Sequence, residues 1–223
     1  MCSSGREPNF VPTRLLDLSQ WRKDKTLRLT RSREQLSGKA AYIALSHRWY
    51  HKVTATSTTR ANVADRYEKI DFHILPSTFT DAVEAALYVN VKYLWIDSIC
   101  IIQDDPVDWS TEAALMSEVY RNAYCTFSAS LVCTEATGMF RLNNMNNIAD
   151  IILPDMNQGF TTVRFFQRPV DAGEVLEASP LQQRGWCFQE RELFPRMVHW
   201  TDEQILWECR ELSSSESCPT SEE

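Results

Sequence analysis

The chain has 223 residues, a formal net charge of -7, and 43% hydrophobic against 24% charged residues, an ordinary soluble balance whose acidity argues against a broad nucleic-acid-binding face. No apolar run approaches the roughly 20 residues of a membrane span, and the start, "MCSSGREPNF", lacks the apolar segment of a secretory leader. Seven cysteines (Cys2, Cys100, Cys125, Cys133, Cys187, Cys209, Cys218) without a CxxC pair, and four histidines that do not cluster, indicate neither a disulfide framework nor a metal site, so reduced thiols and a cytoplasmic setting are expected.

Residues 1–40 read as a polar, irregular N-terminal extension, apart from "TRLLDLS" and the strand-like "TLRLT". A domain over 41–210 follows. It opens with a buried strand, Tyr42 to Ser46, and then a polar, loop-like stretch over 51–72. In "LPSTFTDAVEAALYV" the residues Phe79, Ala82, Val83, Ala86 and Leu87 share one helical face. Thr78 is placed to cap that helix, with Asp81 as its capping-box partner. "VKYLWIDSICII" is a continuous apolar run, the mark of a strand buried on both faces. Asp97 inside it reads as a hydrogen-bonded structural acid, since a buried charge needs a partner.

After the loop "QDDPVD", Asp108 is placed to cap a second helix. There Trp109, Ala113, Met116 and Tyr120 share a face, which leaves Glu112 and Glu118 solvated. "YCTFSAS" is a third strand. Strands alternating with helices imply a parallel sheet. "IADIILP" and "TTVRFF" then look like an inserted antiparallel pair. Ser179-Pro180 signals a helix start, leading into "LQQRGWCFQERELF". "RMVHWTDEQILWEC" reads as a hairpin around Thr201-Asp202-Glu203, and residues 211–223 as an acidic, Ser-rich, disordered tail.

In an open parallel sheet, ligands bind outside the carboxyl ends of the strands. "SHRW" (Ser46 to Trp49), "QDD" (Gln103 to Asp105) and "SAS" (Ser128 to Ser130) arrive there. The candidate binding residues are Ser46, Arg48, Trp49, Asp97, Gln103, Asp104 and Trp186; Glu190 is the candidate catalytic carboxylate. Each has a plainer role to set beside this one. Arg48 and Trp49 can simply cover the core, Asp104 and Asp105 can be loop acids, and Cys187 reads as a core thiol. Neither GxGxxG nor GxxxxGK[ST] occurs, which argues against a Rossmann dehydrogenase and a P-loop NTPase.

"YIALSHRW", "LWIDSICIIQDD", "EAALMSEVYRNA" and "RGWCFQERELFPR" resemble, in order, the blocks of the heterokaryon incompatibility (HET) domain of filamentous fungi. The resemblance runs from about Tyr42 to Cys209. One departure is Tyr50, where the family usually has Gly. The resemblance implies a role in fungal nonself recognition and regulated cell death. It also implies a distant similarity to Toll/interleukin-1 receptor (TIR) domains. The expected fold is α/β: a flavodoxin-like (TIR-like), mostly parallel central sheet flanked by helices, with the inserted pair and a C-terminal β-hairpin.

Ser46-His47-Arg48 stands where TIR domains have Ser-Tyr-Arg, and Trp186-Cys187-Phe188-Gln189-Glu190 where they have Trp-Cys-x-x-Glu. In TIR enzymes that cleave NAD, that Glu is catalytic, so the resemblance implies NAD as a substrate rather than a bound cofactor. Self-association would then be a route to activation; no nucleic-acid duplex or membrane partner is implied. The alternative is a non-enzymatic signalling module that acts by self-association or by binding a partner.

Overall fold

A computed structural model describes residues 10–36, 40–50, 54–130, 138–140, 148–154, 160–166, 172–177, 179, 194–202 and 204–216. In chain order its strands are β1 (Leu15–Asp17), β2 (Arg28–Thr30), β3 (Ile43–Ser46), β4 (Tyr93–Ile96), β5 (Cys125–Ala129), β6 (Ile148–Pro154), β7 (Phe160–Phe166), β8 (Arg196–Trp200), β9 (Ile205–Cys209) and β10 (Ser213–Ser215). Its α-helices are α1 (Trp21–Asp24), α2 (Ser32–Gln35), α3 (Val63–Glu68), α4 (Ser77–Tyr88), α5 (Asp97–Cys100), α6 (Pro106–Asn122) and α7 (Ala172–Glu177).

Eight strands form one mixed sheet in the order β10-β9-β8-β5-β3-β4-β1-β2, and β6 pairs with β7 in a separate antiparallel ribbon. The neighbours β8, β5, β3 and β4 are mutually parallel. Both flanks are antiparallel: β1 on β4, β2 on β1, β9 on β8 and β10 on β9. Counting the parallel strands by first appearance, their order is 2-1-3-4, and the direction of winding reverses between β3 and β5.

The apolar runs explain the centre. Parallel strands are covered on both faces, so every residue of β3 and β5 is buried. The register aligns Ala44, Trp95 and Thr126 on one face and Leu45, Ile96 and Phe127 on the other. Helix α6 lies on the first face, where Tyr120 meets Trp95 edge-on at 5.4 Å. Helix α4 lies on the second, burying Phe79, Ala82, Val83 and Ala86, four of the five positions expected from its periodicity. It ends in a Schellman turn: Asn90 takes φ 60, and Val91 N donates to Ala86 O at 2.9 Å.

Several expectations need correction. The run "VKYLWIDSICII" is not one strand: β4 stops at Ile96 and Asp97 opens α5. Asp97 Oδ1 accepts its neighbour's amide, Ser98 N, at 2.6 Å; such local bonding competes with the strand ladder. The cap of α6 is Asp105, accepting from Val107 N and Asp108 N, with Pro106 in the first turn. Asp108 instead faces inward, where Arg14 Nη2 and Ile102 N donate to its Oδ2. Helix α4 starts after Pro76 without a side-chain cap, and Thr78 is buried. The expected partner Asp81 accepts from Met139 N and Phe140 N. The stretch read as a loop over 51–72 contains α3.

Glu112 is buried rather than solvated, 3.9 Å from Arg14 Nη2. The N-terminal residues Leu15, Leu16, Leu18, Leu27 and Leu29 belong to the main core. Glu84 of α4 ties this segment down, accepting from Lys25 Nζ at 2.8 Å and from Trp21 Nε1 at 2.5 Å. The Lys25 ammonium, then the indole, hold the Glu84 carboxyl below the usual carboxylate range. Ser213–Ser215, inside the stretch read as a tail, pairs with β9.

Candidate functional site

The carboxyl ends of β3, β4 and β5 meet at the point where the strand order reverses, the place where open α/β sheets bind ligands. Chain leaving β3 supplies Ser46, His47, Arg48 and Trp49. Ser46 is buried on the last rung beside Ser128. His47 is buried, its ring edge-on to Phe79 with centroids 4.9 Å apart. Arg48 is exposed and, among the described residues, holds no ion pair. Trp49 is half-buried, and its Nε1 donates to Asp97 Oδ2 at 2.9 Å.

Asp97 is the hub. Its Oδ2 takes the Trp49 indole, and its Oδ1 takes Ser98 N and lies 3.6 Å from His47 Nε2. The loop after β3 is thus fastened to the start of α5 through one carboxylate. Gln103 adds a second fastening: its Nε2 donates to the carbonyls of Asp97 (3.0 Å) and Ile101 (3.2 Å), and its backbone N to Thr58 O (2.8 Å). Behind it, buried Arg66 donates to Thr58 Oγ1 at 3.0 Å and to Thr56 O. Burial lowers the Arg66 guanidinium to about 10, so it stays charged near neutrality.

Of the residues singled out from sequence, Trp49 and Asp97 bond directly, Gln103 braces the Asp97 backbone, and Ser46 and Arg48 share the β3 loop. Asp104 stands apart: exposed, it accepts Arg60 N at 2.7 Å and orders its own loop. Trp186 and Glu190, like the rest of "RGWCFQERE", lie outside the described residues. Tyr50, in the family's usual glycine position, packs on the core with its hydroxyl 3.5 Å from Thr78 Oγ1.

Sequence reasoning passed over two histidines that the fold makes prominent. His47 touches Asp97, and His199 sits on the same rung as Ser128. The signal for the second was available: aligning "RMVHW" beside "CTFSA" as parallel strands puts His199 next to Ser128.

A cavity of about 520 Å³ lies on the α4 face, lined by Glu84, Tyr88, Phe127, Phe140, Val198 and Trp200 among others; neither Arg48 nor Trp49 reaches it. Among the described residues no three His, Cys, Asp or Glu side chains group as metal ligands, and no helix is long and apolar enough to cross a membrane. Cys100, Cys125 and Cys209 are free thiols, and burial pushes Cys100 up to about 12, which keeps it protonated and unreactive.

A family model described as "Heterokaryon incompatibility protein (HET)" matches residues 42–190, about two-thirds of the chain. The match spans β3 to β7 and ends on Glu190. No curated protein and no solved structure matches the chain.

Proposed function

Because the chain belongs to the heterokaryon incompatibility (HET) family, we propose that it is an effector of regulated cell death in nonself recognition, acting by cleaving the nicotinamide–ribose bond of NAD. The observation that carries this reading is the edge built by Arg48, Trp49 and Asp97: an exposed cation that holds no ion pair among the described residues, beside an indole fixed by a carboxylate, at the reversal of strand order. The parallel order 2-1-3-4 supports a flavodoxin-like, TIR-like sheet. Free thiols at Cys100, Cys125 and Cys209 support a cytosolic setting.

The chemistry asks little of a general acid. Nicotinamide in NAD is already cationic and leaves neutral with the bonding electron pair. The ribose left behind becomes oxocarbenium-like, and a carboxylate held against it stabilises the growing charge. Glu190 takes that part. Arg48 binds a phosphate through paired N–H donors, and Trp49 or Trp186 stacks on the nicotinamide ring.

A second reading, a non-enzymatic module working by self-association or partner binding, draws on the exposed apolar side chains Tyr88 (86% exposed), Val89 (46%) and Phe140 (53%) beside the α4-face cavity. Incubating purified protein with NAD and measuring nicotinamide, at low and at high protein concentration, separates the two. The enzyme reading expects release, with specific activity rising with concentration if assembly completes the site. No release at any concentration would leave the interaction module standing.

A further inference from the structure

Four side chains outside that chemistry form one hydrogen-bonded line through the sheet. Ser128 and Ser130 are two apart on β5 and its extension, and their Oγ atoms are 2.7 Å from each other. Ser130 Oγ is 3.4 Å from His199 Nδ1 on β8. His199 Nε2 is 3.3 Å from Glu208 Oε2 on β9. Ser128, Ser130 and His199 are 1%, 2% and 0% exposed, whereas the Glu208 side chain is 30% exposed.

A buried polar network can exist only to satisfy itself. Here the two ends differ. One is Ser128, rung partner of Ser46 at the reversal of strand order; the other is a carboxylate in contact with water. Every member between can give one proton while taking another. Facing His199 from β5 are the hydroxyls of Ser128 and Ser130, and from β9 apolar Leu206, its rung partner, and Glu208. Among the described residues Glu208 is the ionisable group paired with the imidazole.

We propose that Ser128, Ser130, His199 and Glu208 are a proton-exit relay for the hydrolysis at the carboxyl edge. This rests on the NAD-cleavage reading, which needs such an exit. The C–N bond breaks with its electron pair going to nicotinamide, and water oxygen bonds to the ribose carbon. Of the two water protons one stays on the new hydroxyl and one must leave. The leaving proton passes to Ser128 Oγ as that hydroxyl's own proton moves to Ser130. Ser130 passes its proton to His199 Nδ1, and Nε2 gives one to Glu208 and the solvent. No charge accumulates in the protein. His199 acts through the serines, so it is a positioning residue rather than a catalytic one.

The relay takes a proton only while the imidazole is neutral. Wild-type kcat for nicotinamide release therefore rises with pH through an inflection in the histidine range, about pH 5 to 8. His199→Gln loses the inflection and about 100-fold in kcat, with KM unchanged. Glu208→Gln, at the partly exposed end, keeps KM and lowers kcat, because the neutral amide does not take the proton that Nε2 gives up. An unchanged inflection in folded His199→Gln overturns the relay.

A second measurement needs no turnover: ring-nitrogen NMR of histidine-labelled protein. The relay requires both ring contacts to hold in solution, the Nε2 signal moved by Glu208→Gln and the Nδ1 signal by Ser130→Ala. If wild type releases no nicotinamide, the NAD reading fails and the relay that rests on it falls with it; release by wild type with kcat unchanged in folded His199→Gln overturns the relay alone. Ring signals unmoved by both substitutions overturn it.

Discussion

Arg14 is 6% exposed, and a buried guanidinium must be matched on all sides. Its Nε donates to Cys100 O, its Nη2 bonds Asp108 Oδ2, and Glu112 Oε1 lies 3.9 Å away. Burial works against its charge, but the bond to Asp108 and the charges of Asp108 and Glu112 outweigh it and raise its pKa. Arg14→Met should cost about 3–5 kcal/mol in denaturant unfolding, because it strands buried Glu112. Adding Glu112→Gln should recover part of that loss, since the two positions are coupled. Helical periodicity gave no hint of this: the partner lies far earlier in the chain, beyond any window that reads a helix face.

Asp97 was legible as an acid needing a partner, but it is half-buried rather than enclosed, and the partner, the Trp49 indole, comes from another strand end. A hydrogen bond to a charged group is worth about 1.5–3 kcal/mol. Asp97→Ala frees the Trp49 ring and should raise KM for NAD at least about tenfold, whereas Asp97→Asn, which can still accept the indole N–H, should stay closer to wild type.

At the scale of elements, the start of α6 shows how a cap is chosen. Asp105-Pro106 is a cap followed by proline in the first turn, yet Asp108, three residues after Asp105, has the same chemistry and is the cap expected from sequence. Tertiary demand decides between them: Asp108 is needed by Arg14. The same reasoning applies at Asp97, where a polar side chain ends an apolar run that periodicity alone would continue. Arg60, then the amides of Asp108 and Val107, hold the Asp105 carboxyl below its ordinary value of 3.8. A depressed carboxyl stabilises the fold above 3.8 and loses that contribution as pH falls through the lower folded value. Asp105→Asn keeps a capping oxygen but not the charge. Its stability should therefore fall short of wild type near neutrality, and the gap should close on acidification below 3.8, followed by urea unfolding across pH.

For the whole molecule, what could be read locally was read well: three buried runs became β3, β4 and β5, parallel and interior, and both expected antiparallel pairs formed. What could not be read was how the ends of the chain complete the sheet. The β1–β2 pair joins β4, and β10 extends the β9 edge. The first joins a short strand to a distant partner and the second adds a three-residue serine strand to a neighbour, and sequence gives little register for such short, weakly patterned strands. The candidate site was half legible for the same reason. Its residue types stand out at strand ends, but the bonds that unite Trp49 with Asp97 and Ser130 with His199 span separate elements.

The central claim, a carboxylate-assisted cleavage of NAD, turns on Glu190. Glu190→Gln preserves shape and hydrogen bonding while removing the charge, so loss of oxocarbenium stabilisation should cost about 3–4 kcal/mol, or about 100- to 1000-fold in rate. Glu192 is the control: on the helix expected from sequence, a residue two positions along points elsewhere, so Glu192→Gln should be mild. The decisive measurement is the rate of nicotinamide release by wild type, Glu190→Gln and Glu192→Gln, with thermal midpoints taken on the same samples. The account predicts release by wild type and Glu192→Gln, near-complete loss in Glu190→Gln, and three similar midpoints. Equal rates from folded wild type and Glu190→Gln would contradict it.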